Sequence, residues 1–284
     1  MTSIQAVVEF LDQICPPLLA ESWDNTGLLV GDRTRRLEAV ACCLTVTPDV
    51  ADEAADRGAG LIVSHHPFPF FAEKRWTSDT ATGRLLLTLA ENRIALYSPH
   101  TAHDSAFYGV NRQLAVLLGL KNVVPLEESP LLATEAMLAG LEPQTCEALA
   151  GEIGQPLGTG RMGRLESPVA FCEFSEQTRK LFHLNTLAAV GEKERPIQTV
   201  AIGCGAADTF IPQALEHGAD ALFVGETKYH KALEALEAGL ALIVPGHFAS
   251  ERFAMETLAG RIGRVFGDLN VFAAEYESDP LEFV

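Results

Sequence analysis

The stretch that decides the fold is Leu61–Phe70, LIVSHHPFPF. The apolar run Leu61–Val63 predicts a buried β-strand, and the two prolines that follow stop it because proline cannot donate to a central strand ladder. Between the run and the prolines stand two imidazoles, His65 and His66. Because successive side chains of extended backbone point to opposite sides, we expect each ring to reach a different metal ion. The alternative is a pair of histidines in a polar turn.

Helix and strand patterns alternate on both sides of this stretch. Apolar spacing predicts helices at Ser3–Leu11, Pro48–Arg57, Thr80–Asn92 and Phe107–Leu118, and strands at Ala39–Val46 and Ile94–Ser98. Ser3 and Thr47 are suited to cap the first two helices. The first part of the chain is therefore β-α-β-α-β, which is typical of an α/β layer with a parallel or mixed sheet.

The last part of the chain repeats the first. Thr199–Gly205 predicts a strand. Ala214–Ala219, ALEHGA, matches Ala54–Ala59, AADRGA, and Leu240–Pro245, LALIVP, matches Ile94–Pro99, IALYSP. An ordered set of such matches indicates two α/β halves of one design.

The segment between the halves differs from both. It contains a glycine-rich run at Gly154–Gly163, GQPLGTGRMG, and a predicted helix at Ser175–Leu187. Because no helix start follows the glycines, we interpret them as a loop and not as a phosphate cradle. We divide the chain into a first lobe at 1–125, a middle segment of the second lobe at 126–195, and a second repeat at 196–284.

Composition excludes several classes of protein. The 284 residues are 48% hydrophobic and carry a net charge of −17, which argues against nucleic acid and anionic membranes as partners. No apolar run approaches the roughly 20 residues of a membrane span. The N-terminus lacks a basic region, so we expect no secretory signal. The six cysteines form no CxxC pair and suit buried, reduced thiols, so we expect a cytoplasmic protein.

Histidines and carboxylates recur after equivalent strands of the two halves. His100 and Asp104 are four positions apart, as are His247 and Glu251, and residues at that spacing share a helix face. Open α/β sheets bind ligands at such strand ends. Together with His65 and His66 these groups favour two divalent ions, Zn, Mn, Fe or Ni, with carboxylates able to bridge them. Six of the eight histidines lie in or next to such sites, namely His65, His66, His100, His103, His230 and His247. We interpret His183 and His217 as structural or surface residues.

Six motifs carry a family resemblance. They are WDNTGLLVGD at Trp23–Asp32, SHHPFPF at Ser64–Phe70, SPHTAHD at Ser98–Asp104, GTGRMGRL at Gly158–Leu165, GETKYHKAL at Gly225–Leu233 and GHFASE at Gly246–Glu251. With these motifs the sequence resembles the Nif-three-like dinuclear metal proteins, the GTP cyclohydrolase I type II homologues. The resemblance covers most of the chain.

The resemblance implies a fold, a metal site and an assembly. The fold is α/β, with two similar three-layer α/β lobes, an internal pseudo-repeat, and the metal site in the cleft between them. The assembly is a ring-shaped homohexamer. The implied ligands of two divalent metal ions per chain are His65, His66, Asp104, His247 and Glu251, with Asp104 and Glu251 as the bridging candidates.

Two further histidines are catalytic candidates under this resemblance. His100 is expected to support the ligands or to add one. His230, with Lys228, is expected to face the cleft as a substrate contact or proton donor; the alternative is an exposed residue at a helix start. One departure stands out: Leu44–Thr47 is LTVT where relatives tend to have LDVT. Any proton-transfer role at Thr45 is therefore in question.

The function expected from these features is that of a metal-dependent hydrolase using a metal-activated water. The resemblance implies GTP cyclohydrolase-like action on a purine nucleotide, and hence a small-molecule substrate, although the sequence has no P-loop and shows no guanine pocket. A non-catalytic metal-binding scaffold or regulatory protein is the alternative. An open coordination position would distinguish the two, because closed sites are structural.

Overall fold

The structure is a computed structural model that describes residues 1–282. The chain divides into two compact units. Unit 1 consists of Met1–His103, Ala133–Gly154 and Ala254–Ser278, and unit 2 consists of Asp104–Leu132, Gln155–Phe253 and the residues that follow Ser278. The chain therefore leaves and re-enters unit 1 twice.

The elements alternate along the chain as the sequence predicts. The strands are β1 (Gly27–Val30), β2 (Ala39–Cys43), β3 (Ala59–Ser64), β4 (Ala95–Ser98), β5 (Lys121–Val124), β6 (Glu127–Leu132), β7 (Pro156–Thr159), β8 (Arg161–Ala170), β9 (Ala188–Val190), β10 (Pro196–Gly203), β11 (Ala221–Val224), β12 (Ala241–Val244) and β13 (Asn270–Ala273). The helices are α1 (Ile4–Ile14), α2 (Pro48–Asp56), α3 (Ala81–Glu91), α4 (His100–Ser105), α5 (Val110–Leu117), α6 (Pro143–Leu149), α7 (Phe171–Leu181), α8 (Ile211–Glu216), α9 (Tyr229–Glu237), α10 (His247–Glu251) and α11 (Ala254–Val265).

Unit 1 is built on a five-stranded sheet in the order β1-β4-β3-β2-β13. Strands β2, β3, β4 and β13 are parallel, and β1 pairs antiparallel with β4 at one edge. Ala41, Ile62 and Leu96 are fully buried at the centre of its core. Strands buried in this way are continuous apolar runs, which is why LIV in the first motif identifies β3.

Local side-chain bonds set the helix starts of unit 1. Ser3 Oγ accepts from Ala6 N at 3.2 Å, and Thr47 Oγ1 accepts from Val50 N at 3.2 Å. Each bond satisfies one of the amide groups that a helix N-terminus leaves without an intrahelical partner. The two caps predicted from sequence are confirmed.

Unit 2 is built on a six-stranded sheet in the order β5-β8-β10-β11-β12-β9, with β6 and β7 forming a separate two-stranded sheet. Strands β10, β11 and β12 are parallel, and helices α8 and α9 connect them as α2 and α3 connect β2, β3 and β4. The glycines that follow the first helix of each triplet, Gly58 and Gly218, share a φ of +70°. The predicted α/β class and its internal repeat are therefore confirmed.

The glycine-rich run at Gly154–Gly163 is not a loop, and that interpretation is wrong. It forms β7 and the start of β8, with Gly160 at a φ of +56° in the tight connection. A Cβ at Gly158 would lie 1.9 Å from the carbonyl oxygen of Glu127 on the paired strand β6. The glycines therefore permit close backbone approach inside a sheet. The helix expected at Ser175–Leu187 lies earlier, as α7.

Within residues 1–282, every helix is too short or too polar to cross a membrane. Four of the six cysteines are buried as expected: Cys15, Cys42, Cys43 and Cys204. Cys172 departs from that expectation because it is exposed.

Candidate metal centre

Three imidazoles of unit 1 gather where β3 and β4 end. The backbone amides of His65 and His66 donate to the carbonyls of Cys43 and Leu44 at 2.9 and 2.8 Å, which extends the parallel pairing past β3. His100 begins α4, directly beyond β4. One ligand nitrogen from each of the three rings lies within 4.8 Å of the others. Converging neutral imidazoles of this kind suit Zn²⁺ and similar divalent ions.

The expectation that His65 and His66 face opposite sides of the chain is wrong. Their ring centroids lie 5.2 Å apart. The reason is that β3 ends at Ser64, so the two residues lie in a bend where strand alternation does not hold. The hydroxyl of Ser64 donates to the carbonyl of His66 at 2.7 Å and closes this bend. The two rings therefore belong to one cluster.

Asp24 fixes the orientation of His100. The Nδ1 of His100 lies 2.7 Å from Asp24 Oδ1, and Thr101 donates to the other carboxylate oxygen through its amide and its hydroxyl. Burial raises the pKa of Asp24, but the bonds from His100 and Thr101 outweigh that effect and lower it. The carboxylate therefore stays ionised. The φ of His100 is +32°, a strained value of the kind found at functional sites.

Thr45, at the position where relatives tend to have aspartate, supports the second histidine. Its hydroxyl lies 2.7 Å from Nδ1 of His66. Glu277 accepts hydrogen bonds from the amides of Leu44 and Thr45 at 2.9 and 2.6 Å. A carboxylate is thus present beside this segment, although it comes from the C-terminal end of the unit. The hydroxyl contact orients the ring of His66, as partners beyond the ligands do in metal sites.

In unit 2, α10 presents an imidazole and a carboxylate together. Nε2 of His247 lies 3.0 Å from Glu251 Oε2, and its Nδ1 lies 3.5 Å from Glu226 Oε1. The hydrogen bond to Glu251 raises the pKa of His247 to about 9, against an opposing effect of burial. Since an imidazolium cannot bind a cation, binding of an ion by His247 would displace a proton.

Gly205 lies directly beside the side chains of His247 and Glu251. Gly205 has a φ of +58°, and a Cβ there would lie 2.3 Å from Glu251 Oε1 and 3.2 Å from His247 Nε2. Its backbone amide donates to Ser250 Oγ at 3.0 Å, which ties the turn to α10. The absence of a side chain at Gly205 is what leaves room for the two donor groups.

Asp104 is held by residues that sequence reasoning missed. The thiol of Cys204 donates to Asp104 Oδ1 at 3.1 Å. Burial, followed by the nearby charges of Asp104 and Glu251, raises the pKa of Cys204 well above its usual value, so the thiol keeps its proton. The side-chain amide of Asn111 donates to the carbonyl of Asp104 at 3.2 Å and accepts from the amide of Cys204 at 2.8 Å. The buried Asn111 therefore links α5 to both residues.

Arg161 is the third supporting residue that sequence reasoning missed. Its guanidinium is 3% exposed and donates to the carbonyls of Gly158 and Gly160 at 2.7 and 2.6 Å. It also donates to the carbonyls of Ser105 and Ala106 at 3.2 and 2.8 Å, the residues that follow Asp104. Its position in the motif GTGRMGRL is the sequence feature that could have identified it as a site residue. Its role is to fix the backbone beside Asp104.

Some of the predicted site residues belong to the candidate metal-binding groups, and others do not. Among residues 1–282, the groups that could hold a metal ion draw on six side chains: His65, His66, His100, Asp104, His247 and Glu251. His230 belongs to none of these groups and is exposed at the start of α9, as is Lys228 before it. The imidazole and carboxylate donors fit a borderline divalent ion, and the cradle at Gly205 leaves space beside two of them.

Comparisons with known proteins identify the family of this chain. The model of the family described as Duf34/NIF3 (NGG1p interacting factor 3) matches residues 2–280. A Clostridium perfringens protein named GTP cyclohydrolase 1 type 2 homolog is 29% identical over 279 residues, covering 98% of each chain. The Schizosaccharomyces pombe protein NIF3 homolog is 30% identical over 286 residues, covering 95% of this chain and 94% of its own.

The fold is also that of a solved relative. The crystal structure of a Bacillus cereus protein related to NIF3 superposes with a TM-score of 0.87 and 23% identity, over 100% of this chain and 99% of that one. The two-unit α/β fold and its histidine and carboxylate groups thus define a class of candidate metal-binding protein. The chain belongs to the Duf34/NIF3 family.

Proposed function

We propose that this protein is a metal-dependent hydrolase that holds two divalent ions and acts on a nucleotide. The observation that carries the proposal is the cluster of His65, His66 and His100, whose ligand atoms lie within 4.8 Å of one another. The names of the relatives, GTP cyclohydrolase 1 type 2 homolog, support a purine nucleotide as the substrate. Bound ions would supply an acidified water and stabilise negative charge that develops on the substrate.

We assign the two ions to the five ligands that the family resemblance implies. His65 and His66 are the donors of unit 1, and Asp104, His247 and Glu251 are those of unit 2. Thr45 orients the ring of His66, the thiol of Cys204 donates to Asp104, and Gly205 leaves room for Glu251. His100, held by the ionised Asp24, is the first candidate for moving a proton, and the exposed His230 is the second.

The resemblance supports two broader assignments. We propose that the protein acts in the cytoplasm and assembles as a ring-shaped homohexamer. Sedimentation of the purified protein tests the assembly: a species of six chains is expected, and a monomer at micromolar concentration would contradict it.

Elemental analysis combined with an assay tests the proposed function. Protein purified without added metal is expected to carry two ions per chain and to hydrolyse GTP or another member of a nucleotide and phosphate-ester panel. His66→Ala is expected to lose at least one ion and the activity, whereas His217→Ala, on the exposed end of α8, is expected to retain both. Two bound ions without any turnover would instead support a non-catalytic metal-binding scaffold.

A further inference from the structure

Three neighbouring aromatic side chains of unit 1 are exposed, and we call them the aromatic cluster. Trp23, Phe70 and Phe71 are 62%, 44% and 76% exposed. The ring centroids of Trp23 and Phe70 lie 6.2 Å apart, and those of Phe70 and Phe71 lie 4.9 Å apart. Single exposed apolar side chains are ordinary, but contacting ones form a patch, and such patches mark binding surfaces.

The aromatic cluster covers one of the candidate site histidines. The ring of His100 lies 6.0 Å from that of Trp23 and 5.9 Å from that of Phe70, edge to face in both cases. The side chain of His100 is 12% exposed, whereas the two rings beside it face solvent. A small molecule stacked on the cluster would therefore lie one ring away from the imidazole group.

The cluster is held in place by polar bonds that do not involve its rings. Asn25 donates from its side chain to the carbonyl of Pro69 at 3.0 Å, which joins the segment of Trp23 to that of Phe70. Asp24, between Trp23 and Asn25, is bonded to His100 and Thr101. The rings are thus positioned before any ligand arrives, which lowers the entropy lost on binding.

We propose that the aromatic cluster is the subsite that stacks the planar base of the nucleotide substrate, an inference that rests on the proposed function. The planes of Trp23 and Phe70 are tilted by 33° to one another, and both rings expose surface to solvent. A heteroaromatic base matches such faces through its own π-system, and every base stacks in this way without hydrogen-bond readout. Trp23 and Phe71, the most exposed rings, set the preference for substrates that carry a base.

Tryptophan fluorescence provides a direct test because the chain has two tryptophans, Trp23 and Trp76. In Trp76→Phe, the emission comes from Trp23 alone. GMP is expected to quench that emission saturably, and ribose 5-phosphate, which has the sugar and phosphate but no base, is expected to leave it unchanged. In Trp23→Leu, where the partly buried Trp76 is the reporter, GMP is expected to produce no saturable quenching.

Calorimetry measures the contribution of the ring to binding. Trp23→Leu is expected to weaken GMP binding about 5- to 150-fold, the range for loss of one base–aromatic stack, and to leave ribose 5-phosphate binding and metal content unchanged. Trp23→Phe, which restores a ring, is expected to recover part of the loss. Trp76→Phe is the matched control and is expected to bind GMP like the parent protein.

Three outcomes would overturn the inference. They are equal binding of GMP and ribose 5-phosphate, parental GMP binding by Trp23→Leu, and a concentration-dependent blue shift of Trp23 emission without a response to GMP. The last would show that a second copy of the chain covers the cluster. Failure of the proposed function differs, because it appears as absent ions or absent turnover in the parent protein, whatever the response of Trp23 to GMP.

Discussion

The strand ends of the two units share a backbone design and differ in chemistry. The donors of unit 1 are three imidazoles, those of His65, His66 and His100, at the ends of β3 and β4. The donors of unit 2 are His247 and Glu251 on α10, which follows β12, and Asp104 in the last turn of α4. The repeat thus determines where donor groups lie, while the local sequence determines which atoms they present. Side-chain hydrogen bonds orient the rings of unit 1, whereas close backbone packing shapes the surroundings of unit 2.

Gly205→Ala probes the packing of unit 2 and should have the largest effect. The new Cβ would lie 2.3 Å from Glu251 Oε1 at a positive φ, so we expect destabilisation of about 3 kcal/mol and loss of bound ion. Urea unfolding and elemental analysis measure the two effects. The matched control is Gly218→Ala, which has a similar φ with open space around it and is expected to cost about 1–2 kcal/mol with no loss of ion. If Gly205→Ala binds as much metal as the parent protein, close backbone packing does not shape the donor site of unit 2.

Arg161→Met tests the backbone support of Asp104. Four carbonyl groups would lose a buried donor, and we expect a decrease of about 2–3 kcal/mol in the free energy of unfolding. Arg164→Met on the same strand is the control, because the exposed Arg164 bonds only the side chains of Thr199 and Gln198; its cost should stay within about 0.5 kcal/mol. Equal costs in urea titrations would contradict the assigned role.

Asp24→Asn tests the hydrogen bonding of unit 1. The substitution keeps the size of the side chain but removes the charge that accepts from His100 and Thr101, so we expect metal affinity to fall about 10-fold in competition with a chelator. Asp32→Asn is the control, since Asp32 is exposed and its carboxylate accepts from Thr34, within its own turn. The role assigned to Asp24 fails if both variants match the parent protein.

Thr45→Val should have the smallest effect. It removes the hydroxyl 2.7 Å from Nδ1 of His66, a loss of about 1 kcal/mol, which corresponds to roughly a fivefold weaker metal affinity. Thr45→Ser retains the hydroxyl and should bind metal like the parent. If valine and serine behave alike in the chelator competition, Thr45 contributes packing and not orientation.

The sequence predicts the alternation of elements and the repeat because both depend on apolar runs and their spacing. Continuous apolar runs such as LIV and LALIV indicate buried strands from the local sequence alone. The bend at His65 and His66 was not predictable in this way, since strand alternation fails where the hydroxyl of Ser64 closes a turn. Glycines at Gly158 and Gly163 resemble a loop in sequence, and only the partner strand shows why side chains are excluded.

The supporting residues of the candidate site were the least predictable part. Asn111 and Cys204 are separated by 93 positions and meet through one hydrogen bond, and no local pattern marks either residue. Arg161 sits in a recognisable motif, but two of its four carbonyl acceptors, Ser105 and Ala106, are 56 and 55 positions away. Such partners depend on tertiary contacts, whereas the donor groups follow strands and are marked by residue type.

The parallel pairing of β13 with β2 has a consequence for synthesis. The strand that completes the edge of the first sheet is translated more than two hundred residues after its neighbour, and Glu277, which holds the Thr45 segment, follows it. A nascent chain that stalls before this point leaves β2 exposed as a sheet edge, open to pairing with other chains. Strand β13 must leave the ribosome before the sheet closes, so products truncated before it should be the ones that chaperones bind and proteases remove.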